Sequence, residues 1–316
     1  MILTVIPNPS LDKTAIVPHF ELGKIFRPPT VLGLPGGKAF NFARALHTLG
    51  GDPLVVGPLG GYTGQAIIDG AAAEGLRCDP LPVAGETRTC LSIVDPESRQ
   101  ITELYEQGPA LGAETWTRLV DHICTHLAAT ERLVLSGSCF PGTPDDALYE
   151  LVGMATAAGV PSLLDTYGER LRQALPAGPA LVKCNQAEAG DLIGSPLTDV
   201  AAAIGAAHEI RRRGAHAVVI TLGQQGAIGV DQGGTAFGWA APRTDGLYST
   251  GSGDSLFAGI VMGLSAQWTL ADALRLGVAA GAANTLQVGA GVFERAQALA
   301  LLEQVIPLPG LDHTGE

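Results

Sequence analysis

Residues 250–255 read TGSGDS and run straight into LFAGIVMGL. Two glycines and three hydroxyl residues surround one acid, Asp254. Leu256, Phe257, Ile260, Val261 and Leu264 recur at helical spacing, so a glycine loop opens a helix here. A helix start gathers unpaired N–H groups and the positive end of the dipole, and so attracts anions. Gly251 and Gly253 let the backbone turn such groups toward one point, forming an anion hole. A carboxylate beside that hole is not the anion it serves. Phosphoryl transfer uses both: Asp254 takes a proton from a hydroxyl, and the hole steadies charge on the transferring group. The plainer alternative makes Asp254 the N-cap of the helix, a position Asp favours.

Other polar or glycine-rich clusters follow the same placement. PGGKAFNFARALHTLGG (35–51) is a second glycine turn opening a helix, with Lys38 and Asn41 in its first turn and Phe42, Ala45, Leu46 and Leu49 on its apolar face. NPSLD (8–12) ends the first apolar run with Asp12. KCNQAE (183–188) brings Lys183, Asn185 and Glu188 to the end of another, a set suited to phosphate and hydrated magnesium. TLGQQGA (221–227) ends a further run with Thr221, Gly223 and Gly226.

The elements that must position these clusters are legible too. ILTVI, PLVVGPLG, RLVLSGS, PSLLD, ALVKCN and AVVITLG read as buried strands. Helical patterns such as TGQAIIDGAAAEG, TPDDALYELVGMATAAG and DVAAAIGAAHEIRRRG separate them, and Pro144 suits a helix start. Alternation of this kind predicts an α/β fold with a mainly parallel sheet covered on both faces. Ligands of such sheets sit outside the carboxyl ends of the strands, where all five clusters fall. Residues 11–35 and 86–107 instead alternate apolar and polar side chains. They predict a small β subdomain, with a hairpin turning at Pro96–Glu97, that acts as a lid. Residues 1–310 are expected to form one domain and 311–316 a tail.

Composition excludes several classes. The 316 residues carry a net charge of −12 and no basic stripe, which argues against nucleic acid. Arg211–Arg213 reads as a solvated last helical turn. No apolar run reaches membrane length, and the N-terminus lacks signal-peptide character. Five scattered cysteines without a C-x-x-C fit reduced thiols and a cytoplasmic protein. HICTH sets His122 and His126 four residues apart, but no third zinc ligand is obvious, so it reads as an amphipathic helix face. GLPGGKAF fails the P-loop pattern at Leu32 and Ala39, and GSGDSL fails the dinucleotide fingerprint at Leu256.

In order along residues 3–305, NPSLD, PGGKAFNFARAL, TEL…GP, SGSCFPG, LLDTYGE, KCNQAE, TLGQQGAIGV, STGSGDSLFAG and GVAAGAANTLQVGAG resemble the ribokinase-like carbohydrate kinases of the phosphofructokinase B branch. That resemblance implies a ribokinase-like three-layer fold with a β lid and dimerisation through the lid. It implies Asp254 as base, with Gly251, Ser252 and Gly253 as the anion hole. ATP and Mg2+ would be organised by Asn185 and Glu188, through water for the metal, and a monovalent cation is compatible. Thr221, Gly223, Gly226 and Asn284 would contact nucleotide, with Lys183 nearby. Asp12, Gly37, Lys38 and Asn41 would contact the sugar. Arg88 would clamp the substrate's own phosphate, assisted by Lys24 and Arg27.

The expected reaction is ATP-dependent phosphorylation of a ketohexose phosphate, with fructose 1-phosphate ahead of tagatose 6-phosphate and fructose 6-phosphate. An uncharged sugar or nucleoside is the runner-up, disfavoured because Lys38 and Arg88 would be desolvated for no anion. A non-catalytic sugar-phosphate sensor is the remaining alternative. Three positions depart from the family pattern. Ala39 replaces a glycine and is strained if that position needs positive φ. Cys184 replaces a proline before Asn185. Tyr105 and Gln107 alter the end of the hairpin.

Overall fold

A computed structural model describes residues 1–311, so residues 312–316 of the expected tail lie outside the described residues. The six apolar runs form strands Ile2–Val5, Pro53–Val56, Arg132–Ser136, Ser162–Asp165, Leu181–Asn185 and Ala217–Thr221. They are mutually parallel in the middle of a ten-stranded sheet. Arg77–Cys78 adds one parallel edge; Ala227–Val230, Ala236–Ala240 and Ile306–Pro307 extend the other edge antiparallel.

Strand periodicity divides the core into two layers. Leu3, Val5, Leu133, Leu135, Leu164 and Val182 pack against helices Gly112–Leu127, Ala147–Ala157 and Val200–Arg212. Ile2, Val134, Leu163, Leu181 and Val219 face the opposite layer, built on helices Lys38–Leu49, Ser252–Ser265 and Leu270–Asn284. Each such side chain contributes about 1.5–3 kcal/mol by burial. The helix expected from Pro144 begins later, at Ala147, because residues 144–146 form a turn in which Ala147 N–H reaches the Pro144 carbonyl.

A separate four-stranded sheet is built from Ser10–Ile16, Thr30–Gly36, Arg88–Asp95 and Gln100–Tyr105. Its two central strands, Ser10–Ile16 and Arg88–Asp95, run parallel, which joins the two distant segments. Asp95 fastens them further. Its carboxylate accepts from Glu97 N at 3.0 Å and Ser98 Oγ at 2.9 Å in the hairpin turn, and from His19 N at 3.1 Å in the other segment. Asp12 therefore does not end the first main-sheet strand. Pro7 and Pro9 lack ladder donors, that strand stops at Val5, and Asp12 lies inside a strand of the small sheet. No described helix is long and apolar enough to cross a membrane.

Candidate active site

The two glycine-turn helices pack side by side. Phe42 and Phe257 are fully buried with ring centroids 5.4 Å apart, which sets the first turns of both helices next to each other. Asn41 Nδ2 then donates to Asp254 Oδ2 at 2.9 Å. Arg44 supports Asn41 from behind: it reaches Asn41 Oδ1 at 3.5 Å and is anchored by Glu74 at 3.0 Å and the Ala290 carbonyl at 2.7 Å. Asp254 is the third residue of its helix and buried, whereas Gly251 is the N-cap, so Asp254 is no cap. Gly251 has φ of 86°, and a Cβ there would lie 2.7 Å from Ala290 Cα, so this turn requires glycine.

Asp165 is the residue that sequence reading left without a role. It ends strand Ser162–Asp165, fully buried, between Lys38 Nζ and Lys183 Nζ at 3.1 Å each. The one local sign was an acid closing an apolar strand. Lys38 also reaches Glu188 Oε1 at 3.5 Å. Burial works against the charge on Lys38, yet Asp165, Asp254 and Glu188 together hold its pKa above the ordinary lysine value. Burial likewise opposes ionisation of Asp165, but Lys183 and Lys38 hold its pKa low. Two lysines thus face three carboxylates. Asp254 takes up the imbalance: burial, then the Asp165 charge, push its pKa up to about 6. Lys183 lies away from the open groove, beneath the helix start, with Nζ 3.0 Å from where a Gly253 Cβ would be. It sets positive charge beside the turn expected to form the anion hole. Ser252 N–H already bonds the Ser249 carbonyl, so the hole rests on the remaining first-turn N–H groups.

An open groove of about 940 Å³ is lined by Asn185, Asp191, Ser195, Thr221 and Gly223. Asn185 and Glu188 form a reciprocal capping box there, with Glu188 N to Asn185 Oδ1 and Asn185 N to Glu188 Oε2 both at 2.8 Å. Glu188 and Asn185 supply hard oxygens at this groove's Asn185 side, a donor set that fits hydrated magnesium. Gly226 stands apart from the groove: at φ of 114° it turns the chain against the Trp239 carbonyl. Asn284 is also placed differently from expectation. Its side chain is fully buried and reaches the carbonyls of Tyr248 (3.2 Å) and Thr250 (2.9 Å), while accepting from Gly291 N at 2.7 Å. It ties the loop before Asp254 to the 289–291 turn and does not face the groove.

Beside the start of the Gly251–Gly253 turn, a small cavity is lined by Asp12, Asn41, Cys90, Tyr105 and Thr250. Asp12 accepts from Ser10 Oγ at 2.6 Å and Gly37 N at 3.1 Å; burial nonetheless raises its pKa. A Cβ on Gly36 would sit 2.0 Å from Asp12 Cγ, so that glycine is required for Asp12 to be here. Arg88 also has a structural role. Its guanidinium fastens strand ends through the carbonyls of Asn8 (3.0 Å), Pro9 (3.3 Å) and Glu106 (3.2 Å). Lys24 and Arg27 are exposed. Ala39 lies inside helix Lys38–Leu49 and is not among the positive-φ residues, so it carries no strain. Cys184 is buried within the main sheet, paired in register with Ile220.

A buried acid at a glycine-turn helix start, held by Asn41 and neighboured by buried Asp165, has counterparts. The model of the pfkB family carbohydrate kinases matches residues 11–296. The chain belongs to that family. It is 35% identical over 268 residues to 1-phosphofructokinase of Xanthomonas campestris, covering 83% of each chain. It is 33% identical over 291 residues to ATP-dependent 6-phosphofructokinase isozyme 2 of Escherichia coli, covering 91% of this chain and 93% of the relative. The structure of phosphofructokinase-2 from E. coli with substrates and products superposes with a TM-score of 0.87 at 31% identity, over 96% of this chain and 98% of that one. Other structures of that relative describe a tetrameric inhibited form and a potassium complex. As a family member, this chain is an ATP-dependent carbohydrate kinase, and kinases of the family work with a divalent metal.

Proposed function

We propose that this kinase transfers the γ-phosphoryl group of ATP to fructose 1-phosphate, giving fructose 1,6-bisphosphate. The observation that carries the reading is Asp254: buried at a glycine-turn helix start and held by Asn41, which itself lines the sugar-side cavity. The sugar sits under the small sheet against Asp12 and Asn41. Asp254 accepts the proton of the C6 hydroxyl as the O–P bond forms and the bond to the β-phosphate oxygen breaks. The first-turn N–H groups and Lys183 offset charge on the moving group, and Lys38 spans the two sides. Magnesium held by Glu188 and Asn185, when bound, neutralises charge on the nucleotide phosphates.

Arg88 lies beside Asp12 and uses three of its five N–H bonds on carbonyls; the other two suit the substrate's own phosphate. Similarity to the Xanthomonas enzyme supports fructose 1-phosphate; similarity to the E. coli isozyme supports fructose 6-phosphate as the second reading. The small sheet is proposed as lid and homodimer surface, supported by Leu22, Ile25, Val31 and Leu104, all exposed. A cytoplasmic location fits five unpaired thiols. A monovalent cation near the active loop is part of the same proposal, on the relative's potassium complex.

The test is ADP release over fructose 1-phosphate, fructose 6-phosphate, tagatose 6-phosphate and free hexoses, with Asp254→Asn as control. The largest kcat/KM is expected for fructose 1-phosphate. A preference for another sugar phosphate moves the assignment to it. Binding without ADP release would make the chain a sensor.

A further inference from the structure

The pair His122 and His126 gains in three dimensions the partner it lacks in sequence. Both lie one turn apart on helix Gly112–Leu127, with ring centroids 5.6 Å apart. Asp79, immediately after edge strand Arg77–Cys78, comes to meet them. Its Oδ2 lies 2.8 Å from His126 Nε2 and 3.2 Å from His122 Nε2, and the three ligand atoms all fall within 4.8 Å of one another. All three residues are partly buried. They are held in place independently of each other: Asp79 N–H continues the sheet by donating to the Val55 carbonyl at 2.9 Å, and the histidines ride on a helix anchored by buried Trp116, Leu119 and Ile123. None of the three lines the sugar-side cavity or the nucleotide groove.

We propose that Asp79, His122 and His126 form a binding site for one zinc-class divalent ion. Tetrahedral ligands about 2.0–2.1 Å from zinc stand roughly 3.3–3.4 Å apart, close to the separations of Asp79 from the two imidazoles. Two imidazoles and one carboxylate select a borderline transition ion over magnesium or calcium, which take oxygen ligands. On binding, each neutral ring carries its proton on Nδ1, and the Nε2 lone pair and the carboxylate coordinate the ion; water completes the shell. The role is structural. Asp79 precedes, and helix Gly112–Leu127 follows, the hairpin strands Arg88–Asp95 and Gln100–Tyr105. The ion therefore closes a loop of the chain that contains the sugar-side hairpin, which stabilises the native state and restrains that hairpin.

The experiment uses the untagged full chain, freed of metal and without nucleotide, with Zn2+ alone as probe. Equilibrium dialysis with metal analysis should show the wild type holding one more tightly bound Zn2+ than His126→Gln or Asp79→Asn. Each variant should lose at least about 10-fold in affinity. Zn2+ should raise the Tm of the wild type and leave that of the variants unmoved. Kinase activity in Mg2+ without Zn2+ should be the same in all three proteins. Because a variant can fail to fold, the side-chain NMR signals of the wild-type histidines give a second test: Zn2+ should shift those of His122 and His126. Equal zinc binding in wild type and folded variants, or unshifted His122 and His126 signals at saturating Zn2+, would overturn the proposal.

Discussion

The carboxyl edge of the main sheet and the small sheet that faces it are held together in opposite ways. At the main-sheet edge, charged groups interlock in the interior: Asp165 between two lysines, Asp254 on Asn41, Asn41 on Arg44. The small sheet leaves Val31 and Leu104 each 56% exposed, the loop joining two of its strands leaves Leu22 90% and Ile25 86% exposed, and its two segments rely on strand pairing and on Asp95. The proposed catalytic groups are thus in position before substrate arrives, while the proposed sugar-side wall has surface left to bury against a partner or a closing substrate. Preorganised charge and an adjustable wall are what phosphoryl transfer asks of the two regions.

Substitutions can break that contrast. Asp254→Asn should lower kcat by about 10²–10⁴, the range for loss of a general base, with ATP affinity kept. Near-normal turnover would remove Asp254 from the chemistry. Asp165→Asn should instead act on stability, by about 3–5 kcal/mol, because it strands the buried Lys183 and leaves Lys38 only its longer contact with Glu188. Asp95→Asn, its counterpart in the small sheet, accepts only hydrogen bonds and should cost about 1–3 kcal/mol. Chemical denaturation of the two variants measures the contrast, and equal losses would abolish it.

The pKa of Asp254 gives the comparison a pH axis. A base with a pKa near 6 should impose an acid limb on kcat/KM at about that pH. Stability runs the other way. Below about pH 4 folded and unfolded chains both hold the proton; from there to about pH 6 only the folded state keeps it. The contribution of the neutral carboxyl is therefore lost as pH rises through about 6. Relative to Asp254→Asn, the wild type should lose of order 1–3 kcal/mol across that window and nothing further above it. A constant difference between the two proteins from pH 4 to pH 8 would contradict the raised pKa.

Local patterns made much of this readable in the sequence. Apolar runs ending in polar residues marked the six parallel strands, and the TGSGDS and PGGK turns marked both helix starts, because glycine and periodicity act within a few residues. What stayed hidden depends on partners distant in the chain. Asp165 looked like a strand end until Lys38, 127 residues away, closed on it. Asn284 was expected to touch nucleotide and instead holds backbone carbonyls, and Arg88 spends three of its N–H groups the same way, because an amide or guanidinium serves a carbonyl as readily as a phosphate. Asp79 was invisible as a partner for HICTH for the same reason.

The smallest expected effect probes the seam between the two regions. Thr250 Oγ1, in the loop before Asp254, donates to Glu103 Oε1 of the hairpin at 3.3 Å, and Glu103 in turn accepts from Tyr105 Oη at 2.7 Å. This exposed link joins the adjustable wall to the fixed catalytic loop. An intramolecular hydrogen bond typically contributes about 0.5–1.5 kcal/mol net, equivalent to roughly 2–10-fold in an equilibrium constant. If the link closes the small sheet over the sugar, Thr250→Val should raise KM for the sugar phosphate by that factor. It should leave kcat, KM for ATP and Tm nearly unchanged, because Asn284 still holds the Thr250 carbonyl in place. A fall in kcat instead would mean that the seam positions Asp254 itself, and the division into a fixed edge and an adjustable wall would have to be redrawn to include Glu103.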